Sequence, residues 1–135
     1  MTSRNREVLE AAFAGTAKGD GRAFVAMLAD DVRWSIIGTT DWSRTFVGKE
    51  SVLRDLLGPL SAQFDGPNIV TASRYVEDGD VIAVEGRNHS RTRRGVAYPN
   101  RYCWIFTMRD GHVAEIVEYC DTRLIEAVLT YPDRA

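Results

Sequence analysis

The sequence is short of most features that mark a specialised class of protein. It has only two cysteines, Cys103 and Cys120, both in strand-like segments and without metal-ligand spacing. They read as free thiols in a reducing, cytoplasmic setting. Two histidines, His89 and His112, stand apart with no paired carboxylates, so no metal is expected. No apolar run approaches the roughly 20 residues that span a bilayer, and no charged and apolar leader precedes the first helical pattern, so neither membrane insertion nor secretion is expected. A formal net charge of -2 argues against nucleic acid or an anionic membrane as partner. A glycine-rich phosphate loop and a dinucleotide fingerprint are missing, so no cofactor is expected. Repeats and low-complexity tracts are absent as well, which leaves residues 1–135 as a single globular domain with room for a sizeable core.

What the chain does carry is a change of period near its middle. From Ser3 to about Lys18, Val8, Leu9, Ala12 and Phe13 recur at helical spacing, and "KGDG" ends that helix. A short second helix with Phe24, Met27 and Leu28 on one side is predicted to end near "ADD", with Asp30 and Asp31 in the turn. "VRWSII" reads as a strand, and "GTTDWSRTFVG" as a loop with a short strand at its end. "KESVLRDLLGPL" is a third helix with Val52, Leu53, Leu56, Leu57 and Leu60 as its buried stripe and Gly58-Pro59 perturbing its end. After Pro67 come four strand candidates, "NIVTASRYVED", "DVIAVEGRNHSRTR", "NRYCWIFTMRD" and "HVAEIVEYCD". "EDGD" and "RDGH" mark tight hairpins between them, while "RRGVAYP" is a longer connection. "TRLIEAVL" closes the chain as a helix capped by Asp121. Helices followed by consecutive antiparallel strands predict an α+β fold, with the helices on one face of a curved sheet.

The segments "FVAMLADDVRW", "GKESVLRDLL" and "NRYCWIFTMRDGHVAEIVEYCDT" resemble the SnoaL-like and ketosteroid-isomerase-like branch of the nuclear transport factor 2-like superfamily, over about Val8 to Leu129. That resemblance implies a cone: three N-terminal helices and a short C-terminal helix against a curved mixed, mainly antiparallel sheet that encloses a pocket for a small apolar ligand. It also implies a homodimer through the outer sheet face. The scaffold hosts isomerases, polyketide cyclases, hydrolases, dehydratases and non-catalytic binders, so it does not choose an activity.

Strand alternation puts Glu115 and Glu118 on opposite faces and cannot say which is inside. The resemblance to limonene-epoxide-hydrolase-like members turns Glu118 inward, together with Ala114, Ile116 and Cys120. The rest of that hydrolase's relay is missing, because its arginine and aspartate fall on Gly86 and Asn88, and its water-holding tyrosine and asparagine on Trp34 and Ile36. No tyrosine and protonated-aspartate pair of the isomerase type is assignable either, which leaves Tyr102 as the candidate donor.

A carboxylate in an apolar pocket has its pKa raised towards neutrality, which suits proton transfer. The expected catalytic set is therefore Glu118, with Tyr102 and Asn88 stabilising charge on oxygen, and the expected ligand-binding set is Trp34, Ile36, Trp42, Asn100, Trp104, Ile116 and Cys120. For Asn88 and Asn100 a structural hydrogen-bonding role weighs equally, and for Trp104 plain core packing is the stronger reading. These expectations describe an enzyme moving a proton on a small hydrophobic carbonyl-bearing or cyclic substrate, as an isomerase or a polyketide cyclase does. The alternatives are a non-catalytic binder of small hydrophobic ligands on the same scaffold and an interaction module that uses the outer sheet face.

Overall fold

The computed structural model describes residues 2–132. Helix α1 (Arg4–Thr16) starts where the Ser3 hydroxyl accepts a hydrogen bond from the backbone N–H of Arg6, and it buries Leu9, Ala12 and Phe13. Helix α2 (Arg22–Met27) is shorter than the pattern suggested, because Leu28 already belongs to strand β1 (Leu28–Ile36). Asp30 and Asp31 are therefore exposed strand residues and not a turn. Pairing of Leu28 with Val113 on the last strand outweighs the local helical signal, and Asp31 bonds Arg109.

Strand β2 (Thr45–Val47) folds back on β1. A helical segment follows in three parts: α3 (Lys49–Ser51), a π-helical stretch Val52–Leu57, and α4 (Gly58–Ser61). Pro59 has no N–H to offer the carbonyl of Asp55 four residues back. The Tyr131 hydroxyl donates to that carbonyl at 2.8 Å. The wider turn also changes the expected stripe. Val52 and Leu56 are buried and Leu57 and Leu60 half-buried, but Leu53 is 40% exposed.

The remaining strands are β3 (Val70–Asp78), β4 (Val81–Asn88), β5 (Ser90–Arg91), β6 (Ala97–Tyr98), β7 (Arg101–Arg109) and β8 (His112–Cys120), followed by α5 (Thr122–Val128). The main sheet runs β2-β1-β8-β7-β4-β3, antiparallel throughout except for the parallel pair β1 and β8. At "RDGH", Asp110 (φ 52°) and Gly111 (φ 79°) both adopt the left-handed region that a two-residue hairpin turn of this hand requires. The longer connection through "RRGVAYP" is part of a small hairpin, β5 with β6, which brings Tyr98 inward.

Three irregularities in pairing bend the sheet: Ser73 is the extra residue on β3, Ala114 lies between the Glu115 and Val113 pairings on β8, and β1 shifts between Leu28 and Arg33. A bulge tightens the local twist and reverses the facing of residues beyond it. Val113 is therefore fully buried in the position expected of Ala114, while Ile116 and Glu118 keep their inward direction. The result is an α+β fold in which an open, curved sheet wraps its concave face around α1, α2 and the Lys49–Ser61 segment.

Candidate active site

The concave face is not filled. A cavity of about 790 Å³ lies between the sheet and the helices, within the usual range for small-molecule sites. Phe13 of α1 and Phe24 of α2 wall it on one side, and Leu56, Leu57 and Leu60 on another. From the sheet come Trp34 and Ile36 of β1, Tyr102 and Trp104 of β7, and Glu118 of β8. Trp42, in the loop after β1, meets Ile125 and Leu129 of the C-terminal segment along the same lining.

Glu118 is the one carboxylate in this lining, and it is 7% exposed. One oxygen accepts a hydrogen bond from the indole N–H of Trp104 at 3.1 Å, from the position directly opposite on β7. The other lies 3.9 Å from the Cys120 sulfur. The N–H of Trp34 approaches the carboxylate closely enough to favour its charge slightly, but without the geometry of a hydrogen bond. No ion pair among the described residues includes Glu118. Burial therefore dominates and raises its pKa from 4.5 to about 7, against the opposing pull of Trp104, Trp34 and Cys120.

The neighbouring groups stay neutral. Burial, followed by the charge of Glu118, pushes the Cys120 thiol up to about 12, which removes it as a nucleophile near neutrality. Tyr102 is raised well above its usual value, mainly by burial, so its hydroxyl remains a donor. Its ring stacks on Trp104 with centroids 4.7 Å apart and planes at 11°. Arg22 is the cationic side chain in the lining, and it is engaged with Asp20 at 2.8 Å and largely exposed.

The structure brings six of the expected residues together around the cavity: Glu118, Tyr102, Trp104, Trp34, Ile36 and Trp42. Four others fall outside its lining. Asn88 is fully occupied elsewhere: its amide donates to Asn68, its side-chain oxygen accepts from the Ser90 backbone at 2.7 Å, and its own backbone N–H reaches Asn100. Asn100, with no exposure at all, bridges strand ends: it donates to the Tyr98 hydroxyl (2.8 Å) and the Asp121 carbonyl (3.2 Å) and accepts from the N–H groups of Arg101 and Asp121. Ile116 is core, without exposure, and Cys120 is half-buried beside Glu118 but not part of the lining.

Sequence reasoning missed the helical side of the cavity, including Phe13, Phe24, Leu56 and Leu57, because an apolar stripe facing a cavity has the same period as one facing a core. Tyr98 was missed because its strand is two residues long. Among the described residues no cluster of three or more His, Cys, Asp or Glu side chains is placed to hold a metal ion, and no helix is long and apolar enough to cross a membrane.

The SnoaL-like domain family matches residues 9–116. Among solved structures, TerC co-crystallised with polyporic acid superposes with a TM-score of 0.77 at 22% identity, over 93% of this chain and 98% of that one. An NTF2-like protein of unknown function from Burkholderia pseudomallei gives a TM-score of 0.82 at 17% identity, over 96% and 99%. A protein named as a SnoaL-like polyketide cyclase from Jannaschia sp. CCS1 gives 0.74 at 14%, over 96% and 94%. No curated protein matches the sequence at a significant level. Helices first, a curved sheet after them, and a match over most of the chain make this protein a member of the SnoaL-like family, on the nuclear transport factor 2-like fold.

Proposed function

We propose that the protein is an enzyme that moves a proton on a small hydrophobic, carbonyl-bearing or cyclic substrate, as an isomerase or cyclase, with Glu118 as the acid–base group. The observation that carries this reading is the state of Glu118: a nearly buried carboxylate in an apolar cavity, with one good hydrogen bond, no counter-ion and a pKa of about 7. A group with that pKa is present in both forms near neutrality, the condition for taking a proton and returning it. Ionised Glu118 accepts a proton from the carbon next to a carbonyl, and the protonated acid delivers it to another carbon. Tyr102, held protonated, can donate to the oxygen on which charge develops. Such placement contributes about 10²–10⁴-fold. The likeness to the Jannaschia protein named as a polyketide cyclase supports the same class.

On the convex side, Val47, Val76, Val81 and Tyr119 are 55%, 54%, 40% and 47% exposed, which supports a second copy of the chain covering that face. The test of function is deuterium exchange into the α-carbons of cyclic ketones in D₂O, followed by NMR for wild type and Glu118→Gln. Exchange that rises through about pH 7 and falls at least 100-fold in the variant is the expected result. Equal exchange in both proteins removes Glu118 as the base. Binding without exchange moves the protein to the class of non-catalytic binders.

A further inference from the structure

Asn68 lines the cavity just before β3, half-buried, and a buried network behind it fixes which way its amide faces. The backbone N–H of Ser90 can only donate, and it reaches the side-chain oxygen of Asn88 at 2.7 Å. The amide nitrogen of Asn88 is therefore the atom turned towards Asn68, and the atom of Asn68 that receives it is the oxygen. Ser90 enforces the same direction. Its hydroxyl accepts from the backbone N–H of Ile69 at 3.1 Å, so its own proton goes to that same Asn68 oxygen, 2.8 Å away. Asn88 and Ser90 are both buried, and the N–H of His89 holds the carbonyl of Ile69 at 2.9 Å, which fixes the backbone beside Asn68.

The free edge of Asn68 is thus its nitrogen, a double donor. Among the described residues no acceptor takes either of its N–H groups, since every side-chain bond of Asn68 ends on its oxygen. The nitrogen is not sealed off either: the buried polar atoms without partners are the indole nitrogens of Trp34 and Trp42, and Asn68 is not among them. The network uses only the oxygen, so the nitrogen edge does nothing for the fold. Asn68 sits at the β3 edge of the sheet, three strands from Glu118 on β8. That is up to roughly 14 Å along the sheet at ordinary strand spacing, so the two side chains address different parts of one ligand. A donor already locked in place costs little ordering on binding.

We infer that Asn68 is a specificity-determining residue: its N–H groups receive an acceptor oxygen on the part of the ligand remote from Glu118, and Asn88 is a positioning residue that acts through it. The ligand so selected has an apolar body and, at that place, an oxygen that brings no hydrogen of its own. A ligand with an N–H there meets the Asn68 amide donor to donor and is disfavoured. This deepens the proposed function and rests on its reading of the cavity as the ligand site, but not on the proton transfer. It also gives Asn88 a role outside the lining, in which its two side-chain bonds decide what the cavity accepts.

The test is equilibrium dialysis of three probes of one shape: fluorene, 9-fluorenone, which only accepts, and carbazole, which only donates. Fluorenone has no hydrogen on the carbons next to its carbonyl, so Glu118 has nothing to remove from it. Affinities are referred to fluorene in each protein. Wild type should favour fluorenone about three- to tenfold. Asn68→Asp keeps an oxygen for Asn88 and Ser90 and replaces the donor edge with an acceptor, so fluorenone should lose its advantage and carbazole gain one of similar size. Asn88→Asp keeps an oxygen for the Ser90 N–H and turns another towards Asn68, which forces the Asn68 amide over. The same inversion should follow with Asn68 itself unchanged, an effect that a merely structural Asn88 would not produce. A fluorenone-to-carbazole ratio constant within about twofold across the three proteins overturns the inference. Inversion in Asn68→Asp alone overturns the role of Asn88. If a variant does not fold, NMR of the wild-type Asn68 side-chain amide decides: its protons should exchange freely with water and shift with fluorenone but not with fluorene. Protons protected in the free protein, or unmoved by fluorenone, overturn the inference. Binding of none of the three probes, while cyclic ketones still exchange deuterium, refutes this inference alone. The expected inversion without any such exchange refutes the proton-transfer reading alone.

Discussion

Replacing Glu118 with glutamine removes a charge that the fold accommodates poorly, and the gain should grow with pH. Well below pH 4.5 the side chain is protonated in both the folded and the unfolded chain, so Glu118 takes nothing from stability there. Between 4.5 and about 7 the unfolded chain ionises while the folded one holds its proton, and stability falls. Above about 7 the folded form is charged as well and the loss levels off. A rise from 4.5 to about 7 corresponds to about 3 kcal/mol, as an order of magnitude. Glutamine keeps an acceptor for Trp104 and never ionises. The difference in stability, Gln minus Glu, should therefore climb by about 3 kcal/mol from pH 4.5 to pH 8, or by roughly 10 °C in midpoint for a domain of this size. Urea unfolding and thermal scans of both proteins from pH 4.5 to 9 measure it. Every other titrating group cancels in the difference, and any packing defect of the amide adds a constant offset. A difference that is flat with pH, or that shrinks as pH rises, refutes the account of Glu118 as a buried carboxylate without adequate compensation.

Trp104→Phe deletes the strongest support of the charged form, so the midpoint of the same pH dependence should move up by about one unit; an unchanged midpoint would place the Trp104 contact among packing effects. Asn100→Ala loses four hydrogen bonds and strands the N–H of Asp121, and should cost about 3 kcal/mol or more in urea unfolding while leaving ligand affinity per folded molecule unchanged. At Gly86, an added Cβ would lie 2.4 Å from the Thr71 carbonyl oxygen and 2.9 Å from the Trp104 ring. Gly86→Ala should therefore destabilise by about 1–3 kcal/mol and weaken ketone binding by displacing Trp104; tolerance in both assays would mean that β3 yields at its bulge.

The order of elements was legible because each has a local cause. Asp110-Gly111 can only turn, Asp121 accepts from the N–H groups of Arg123 and Leu124 as a cap does, and the Val- and Ile-rich strands alternate. The failures came where pairing overrides local preference. "ADD" reads as the end of a helix, yet Leu28 through Asp31 are drawn into β1 by their neighbours on β8 and the β7–β8 turn. The bulge at Ala114 is invisible in the sequence, and it exchanges Val113 for Ala114 on the inner face. The cavity itself was legible only through a family resemblance, since Phe13, Phe24 and Leu56 carry the same pattern whether they meet a core or an open space.

Asn100 and Glu118 show what separates a structural buried polar group from one kept for chemistry. Both are buried, Glu118 on β8 and Asn100 immediately before β7, and the sequence offered both as site residues. Asn100 is matched on both of its side-chain polar atoms, so its burial is compensated and it locks the start of β7 to the end of β8. Glu118 holds one indole bond for a group with room for several, in a wall whose other members are almost all apolar. A glutamine would serve the same contact to Trp104 without the charge, and a leucine would fill the space. A fold gains nothing in stability from a carboxylate placed this way, whereas proton transfer needs its raised pKa. The same contrast holds among the tryptophans: Trp104 is matched, and Trp34 and Trp42 present donors that the protein does not itself satisfy. Glu118 is thus the least compensated of these groups, and it is the one whose carboxylate belongs to the cavity wall.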